Sequence, residues 1–472
     1  MKTARWMRGA FCLLMSLLCS ACANLAGPEY SRPQTPAKGE WSDSAQQTVS
    51  GKSVIQPDWW RNFNDPYLDQ LIDKAIAGSL DIRILAARID VARAGIDQAK
   101  AGAMPTLTAS QGVDHFSHTS APGSTRYSLA GEASWELDIW GKIRKGVEAQ
   151  QAEYKATEAD WRAGYLTLVS DVSSLYFNIR RLDEQRQRQA TALSRNREIL
   201  QIYQAMHGEG LIPETQVMQQ QAEINRLETE QLELARQRKV DENGLATLLG
   251  MPANTLKVPQ APLRERVSIP EVPAGLPSQL LARRPDILAA EYRVLQAHNL
   301  SGQARLAKLP SIGLTGRAGT AGFSIGDLFK AATFGLASAI SFPIFDPNIS
   351  ARVKVADAQT KVTEEEYRRT VISAFEDVEN ALTNLSSRKQ QQVELQAREE
   401  KLKVVSDQMK AQLHEGIASQ LQVFEVERSL LDAEQQLLSN QWQILSDTVA
   451  LYKSLGGGWP SEVIGRSDND KQ

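Results

Sequence analysis

The sequence predicts an α+β membrane protein: an internally duplicated chain with four β-strands and very long coiled-coil helices. Three observations predict it. The chain repeats itself at a lag of 205–206 residues. The first copy holds a stretch of strict apolar/polar alternation whose phase the second keeps, and each copy then continues far beyond ordinary helix length almost without Gly or Pro.

The repeat is read residue against residue. Asp81, Ala92, Ala99, Lys100 and Pro105 find Asp286, Ala297, Ala304, Arg305 and Pro310 at a lag of 205. After one extra residue, Thr157, Glu158, Asp171 and Val172 meet Thr363, Glu364, Asp377 and Val378. Glu209, Gly210, Val217, Leu249 and Gly250 then meet Glu415, Gly416, Val423, Leu455 and Gly456. A period this long is a duplication and not a solenoid repeat of 20–50 residues.

The N-terminus has the layout of a secretory signal. Lys2, Arg5 and Arg8 precede an apolar run from Gly9 to Leu18, too short to span a bilayer as a helix. Leu18-Cys19-Ser20-Ala21-Cys22 resembles a bacterial lipobox, with Cys19 where an aliphatic residue is usual. The 3 cysteines all fall at positions 12, 19 and 22. Cleavage before Cys22 therefore leaves one thiol, no intrachain disulfide, and a residue suited to carry acyl chains. The alternative is ordinary signal cleavage near Ala21 or Ala23. Ala23, in place of an Asp that retains lipoproteins at the inner membrane, points to the outer membrane. Loss of Lys2, Arg5 and Arg8 takes the formal charge from −3 to −6. With no basic stripe or arm, nucleic acid is not an expected partner. The pair Arg283-Arg284 reads as surface solvation.

Residues 22–60 form an extended, lipid-anchored arm, rich in Gly, Pro, Ser and Gln. The first copy, 61–250, opens with Trp59-Trp60 and Phe63 nearby and with Asp65 before Pro66, an N-cap with Pro at the first helical position. Between 127 and 139 every odd position is Tyr127, Leu129, Gly131, Ala133, Trp135, Leu137 or Ile139, while even positions are largely polar. Phe334, Leu336, Ile340, Phe342 and Ile344 keep this phase in the second copy, 286–456. A weaker partner strand precedes each, near 106–116 and 311–320, with a turn expected at Pro122-Gly123. Strands of this length suit a tilted membrane crossing. No stretch after residue 22 reaches 18 apolar residues, so any crossing is by strands.

From Asn348 to Glu415 there are 68 residues without Gly or Pro. Such a helix would extend roughly 100 Å. Val371, Phe375, Val378, Leu382 and Leu385 are spaced 4, 3, 4, 3, and Tyr165, Val169, Val172, Tyr176 and Ile179 repeat that spacing. This is the seam of coiled-coil packing. Gly210 and Gly416 break the helices, and the chain resumes helically, so each copy folds into a long helical hairpin. The Pro-rich stretch 251–285 links the copies, and 457–472 is a polar tail.

Four strands cannot close a barrel, and an open edge in hydrocarbon leaves backbone groups unpaired at several kcal/mol each. Closure must come from other chains: two give eight strands and a filled interior, three give twelve and a passage.

Further residues form a set: Gly27-Pro28 and Tyr30, Trp59-Trp60, Phe63, Asp65-Pro66, the run Leu276-Pro277-Ser278-Gln279-Leu280-Leu281-Ala282-Arg283-Arg284-Pro285-Asp286-Ile287, then Pro310 and Pro343-Ile344-Phe345-Asp346. In these the chain resembles a known family, the TolC/OprM-type outer-membrane factors of tripartite efflux and type I secretion. Pro347-Asn348 departs from the family's usual Gly-Gly. The resemblance implies a homotrimer with a 12-stranded outer-membrane β-barrel continued by a periplasmic α-helical barrel. It also implies docking to a periplasmic membrane-fusion (adaptor) protein and an inner-membrane pump. The tips Gly210, Leu211, Gly416 and Ile417 resemble the turns that adaptors contact. A Leu211 or Ile417 packed back on its own hairpin is the alternative. Gln422 and Glu425 fall where relatives narrow the periplasmic end, and three copies of Glu425 would form an anionic gate ring. A plain exposed Glu is the alternative.

The expected function is that of a passive exit duct for drugs or other small toxic compounds, not an enzyme and without a cofactor. His115, His118, His207, His298 and His414 form no ligand pattern, and the first two are expected in a loop. Metal-ion efflux and type I secretion stay open within transport. A structural periplasmic coiled-coil lipoprotein or adhesin without a pore is the reading from another class, and duplicated strands argue against it.

Overall fold

The structure, a computed structural model, describes residues 27–36, 41, 56–118, 121–263, 269–270, 272 and 283–459. The signal segment, Cys22, most of the arm, residues 276–282 of the family-like run and the tail from 460 lie outside the described residues.

The elements follow in duplicate. Helices α1 (Pro66–Gly78) and α2 (Leu80–Ala101) precede strands β1 (Thr106–His118) and β2 (Ala121–Leu137), then helices α3 (Lys142–Gly208) and α4 (Glu214–Leu248). The second copy gives α5 (Pro285–Leu306), β3 (Ser311–Gly322), β4 (Ala332–Ser341), α6 (Pro347–His414) and α7 (Gln420–Ser454). Helix α3 has 67 residues and α6 has 68, and α4 and α7 have 35 each. Two compact units share the chain: one of residues 1–35, 88–159 and 288–370, the other of 36–87, 160–287 and 371–472.

The first unit holds an antiparallel sheet in the order β1-β2-β3-β4. The pairing sets Leu107 against Ala133, Trp135 against Leu314 and Ile312 against Ile340. With period-2 alternation, the large apolar residues therefore share one face. Leu107, Phe334, Leu336 and Ile340 are all more than 70% exposed. The expected turn at Pro122-Gly123 is instead strand, because β2 starts at Ala121. A Pro is tolerated where the ladder is interrupted, and the register shifts here opposite Phe116 and His118, so the dipeptide alone did not decide the turn. His115 and His118 likewise lie in β1 and not in a loop. The His115 Nδ1 is 3.0 Å from the Thr125 hydroxyl of the paired strand.

Indole N–H groups fasten the helix-proximal end of the sheet. Trp135 donates to the Ala103 carbonyl at 2.9 Å and Trp140 to the Pro310 carbonyl at 2.6 Å. Asp346 caps α6: its Oδ1 accepts from the Asn348 and Ile349 amides at 2.8 and 3.3 Å, with Pro347 at the first helical position. That is how the chain turns from strand to helix without Gly-Gly. The described arm residues stay extended and tied down: Arg32 binds Glu291, and Arg368 Nε donates to the Gln34 carbonyl at 3.2 Å.

The second unit buries the first predicted seam and all of the second but Phe375, which is half-buried beside Trp41 at 6.2 Å between ring centres. Tyr165, Val169, Val172, Tyr176 and Ile179 are at most 3% exposed, and Val371, Val378, Leu382 and Leu385 at most 7%. Trp59 and Phe63, in a 3-10 turn before α1, are fully buried, and Trp59 stacks on Tyr452 at 4.7 Å. The Pro-rich stretch is partly strapped down: Leu256, Val258 and Leu263 are buried, and Arg238 holds the Val258 carbonyl at 2.7 Å.

The duplication extends to a packing detail. Gly250 and Gly456, at φ +72° and +86°, end α4 and α7 in the left-handed conformation. Gly250 lies against Gly78 and Ser79, and Gly456 against Arg283 and Arg284, positions one lag of 205 apart. A Cβ at 250 would sit 2.2 Å from the Gly78 carbonyl oxygen. Both copies need glycine there twice over, for φ and for contact.

Arg284 does not solvate the surface as expected. It is only 8% exposed. Its guanidinium binds both Asp286 oxygens at 3.0 and 2.7 Å, Asp377 at 3.0 Å, and the Ala374 and Ser454 carbonyls at 3.4 and 3.1 Å. One cation thus joins the start of α5, the body of α6 and the end of α7.

Candidate functional site

Two regions hold the candidate functional residues, the sheet in the first unit and the hairpin tips in the second. In the sheet, β1 and β4 each have one neighbour, so both edges are unpaired among the described residues. One face is lined by Tyr127, Leu129, Trp135, Ile312, Leu314, Phe334, Leu336 and Ile340. The other holds small and polar residues, among them Ser128, Ser134, Thr315, Gly319 and Ala337. Such a sheet has one face for hydrocarbon and one for water, and two edges that hydrocarbon does not tolerate. Among the described residues no helix is long and apolar enough to cross a membrane.

At the tips, two helix ends use the same hydrogen-bond pattern. The Gly210 amide donates to the His207 carbonyl at 2.9 Å and Leu211 to Met206 at 2.9 Å. Gly416 donates to Leu413 at 3.0 Å and Ile417 to Gln412 at 2.8 Å. Both glycines have φ above +70°. In this Schellman arrangement the residue after the glycine usually packs back on the helix. Here Leu211 is 69% and Ile417 76% exposed. The self-packed alternative is therefore not what the fold shows, and each tip presents an apolar side chain to its surroundings.

The resumptions differ. Helix α4 starts after Pro213 with no side-chain cap. Helix α7 starts with a capping box: Ser419 accepts from the Gln422 amide at 3.4 Å, and Gln422 Oε1 accepts from the Ser419 amide at 2.8 Å. The Gln422 side chain is thus engaged in its own helix terminus. Glu425, one turn on, is exposed, while Val423 between them is buried. Farther from the tips, Arg188 of α3 binds Glu184 at 2.8 Å and Glu434 of α7 at 3.0 Å, beside a cleft of about 360 Å³. Burial there works against the Arg188 charge, and the bonds to Glu184 and Glu434 outweigh it, raising its pKa. Neither Arg188 nor Arg284 was singled out as a site from sequence, because nothing local marks which charged residue, in a long helix as for Arg188 or just before one as for Arg284, turns inward.

A long helical hairpin joined twice to an amphipathic strand pair, with open sheet edges, defines an outer-membrane channel protomer. Comparison with known proteins agrees. The family model described as outer membrane efflux protein matches twice, over residues 71–251 and 276–457, and the chain belongs to that family. It is 31% identical to the pyoverdine export outer membrane protein OpmQ of Pseudomonas putida, over 96% of this chain and 98% of that protein. It is 29% identical to the probable outer membrane lipoprotein SilC of Salmonella typhimurium, over 93% and 96%. The solved outer-membrane channel OprN superposes with a TM-score of 0.82 at 28% identity, covering 92% of this chain and 99% of that one. The open-state MtrE channel of Neisseria gonorrhoeae gives 0.82 at 28%, covering 93% and 99%. The protein is an outer-membrane efflux channel of the TolC/OprM type.

Proposed function

We propose that three copies of this chain close a 12-stranded barrel, and that the assembly is the passive exit duct of a tripartite pump. The observation that supports this most is the four-stranded sheet with one apolar face and two unpaired edges. Three copies pair every edge and give a lumen wide enough for solutes, whereas two copies give a filled interior. The long hairpins continue the duct into the periplasm. Residues 1–21 are removed, Cys22 carries the lipid, 61–250 and 286–456 are the two repeats, and an adaptor protein covers Leu211 and Ile417 at the tips. An inner-membrane pump supplies the energy. Substrates are drugs or other small toxic or exported compounds, the class suggested by relatives named for pyoverdine export and for toluene and solvent efflux.

The periplasmic gate in this reading rests on Glu425. Gln422 contributes the cap that fixes where α7 begins, and so where Glu425 stands. Three Glu425 carboxylates near one axis attract cations and repel one another as they converge. Glu425→Ala is expected to raise single-channel conductance and lower cation preference in planar bilayers. Unchanged conductance and preference would remove Glu425 from the gate. Stepwise currents from the wild type separate this function from a pore-free structural role.

A further inference from the structure

We propose that Arg317 sets the charge selectivity of the barrel by neutralising Glu132 on its inner wall, an inference that rests on the closed-barrel reading above. Glu132 of β2 and Arg317 of β3 are register partners, and Arg317 Nε lies 2.9 Å from Glu132 Oε2. They share the face of Ser128, Ser134, Thr315 and Gly319, opposite the face of Leu129, Trp135, Leu314 and Leu336. Charged residues at mid-strand face a lumen and not lipid. The pair therefore points into the passage.

The neighbours at that level are small. Thr108 of β1 stands opposite Glu132, and Gly335 of β4 opposite Arg317. No bulky side chain screens the pair from passing solutes. The strands carry two other carboxylates, and each also has a cation at hand: Asp114 is the register partner of Arg126, and Glu136 binds Lys142 at 2.5 Å. The wall thus presents matched charges and little net field, as suits a duct for chemically varied solutes. Removing one member of the Glu132–Arg317 pair unmasks three like charges at a single level of a trimer.

Both side chains are largely open to solvent, Arg317 71% and Glu132 46%. Exposed pairs contribute little to stability, so the variants keep the fold. The field of an unmasked ring extends across the lumen only where salt is low: the Debye length is roughly 30 Å at 0.01 M and roughly 3 Å at 1 M.

The test is the reversal potential of purified assemblies in planar bilayers under a KCl gradient from about 0.01 M, where screening is weak. Arg317→Gln is expected to raise the K⁺ over Cl⁻ permeability ratio by about twofold or more. Glu132→Gln is expected to move it in the opposite sense. The double variant returns it to the wild-type value, and all differences fade near 1 M salt. Wild-type currents with one common reversal potential for all variants would overturn the inference and leave the channel reading intact. A wild type without stepwise currents would overturn the channel reading, and this inference with it.

Discussion

Arg284→Met is expected to strip the assembled protein from the outer membrane. The native guanidinium is buried and donates to two carboxylates and two backbone carbonyls. One of these, the Ser454 carbonyl, belongs to the last turn of α7, where carbonyls lack helical partners and a cation is favourable. Methionine fills much of the volume and satisfies none of the four groups. Losing hydrogen bonds to a buried charge costs about 2–4 kcal/mol when its partners are left behind, less where carboxylates reach water. Asp377 is 49% exposed, which places the cost within that range and below that of a fully buried pair. The joint also holds the α7 end against the backbone at Arg283 and Arg284 through Gly456. Arg284→Lys is expected to rescue partly, because ammonium keeps the charge but not the planar fork. Denaturant unfolding in detergent measures both. Wild-type midpoints for Arg284→Met would show that the cluster contributes nothing.

Ile417→Asp is expected to abolish efflux while leaving the channel intact. The side chain is 76% exposed and follows the capping glycine, so polar replacement takes nothing from the hairpin's own packing. Exposed substitutions of this kind change stability by about 0.5 kcal/mol or less. An apolar anchor covered by a partner is different: truncating or charging it commonly costs 2 kcal/mol or more of binding, about 30-fold in affinity. Cells relying on the variant are expected to become as sensitive to pump substrates as cells without the channel, with normal channel abundance and conductance. Leu211→Asp, at the first tip, is expected to act in the same direction. Full resistance with both changes together would remove the tips from the adaptor contact.

Much of this architecture was legible in the sequence, for physical reasons. Gly and Pro are the residues that stop helices, so their absence marked α6 almost to the residue, and Gly210 and Gly416 marked two helix ends, while the ends at Gly250 and Gly456 showed only as matched positions of the repeat. Alternation exposed β2 and β4, as expected of a strand between two unlike solvents, but ran past their ends: Ile139, Phe342 and Ile344 keep the phase outside strands that stop at Leu137 and Ser341. The errors fall where a local pattern has two physical outcomes. Pro122-Gly123 reads as a turn, yet the pair sits at the register shift opposite Phe116 and His118, where a strand tolerates Pro. Arg283-Arg284 reads as solvation, yet one of the two is buried by partners 93 and 170 residues away. Gln422 is a different case: its side chain caps its own helix at Ser419, a contact that argues neither for nor against its place at the gate. A cap of Ser and Gln at that spacing is itself a sequence signal, and it was present in Ser419 to Gln422. The unpaired edges were legible only as a count: two hairpins, four strands, no closure.

The central claim is that the chain is a channel only as a closed set of three. Native mass spectrometry of the detergent-solubilised protein tests it most directly. The account predicts a dominant species of three times the mature chain mass, resistant to dilution. A species of one or two chains that still conducts in bilayers would contradict it.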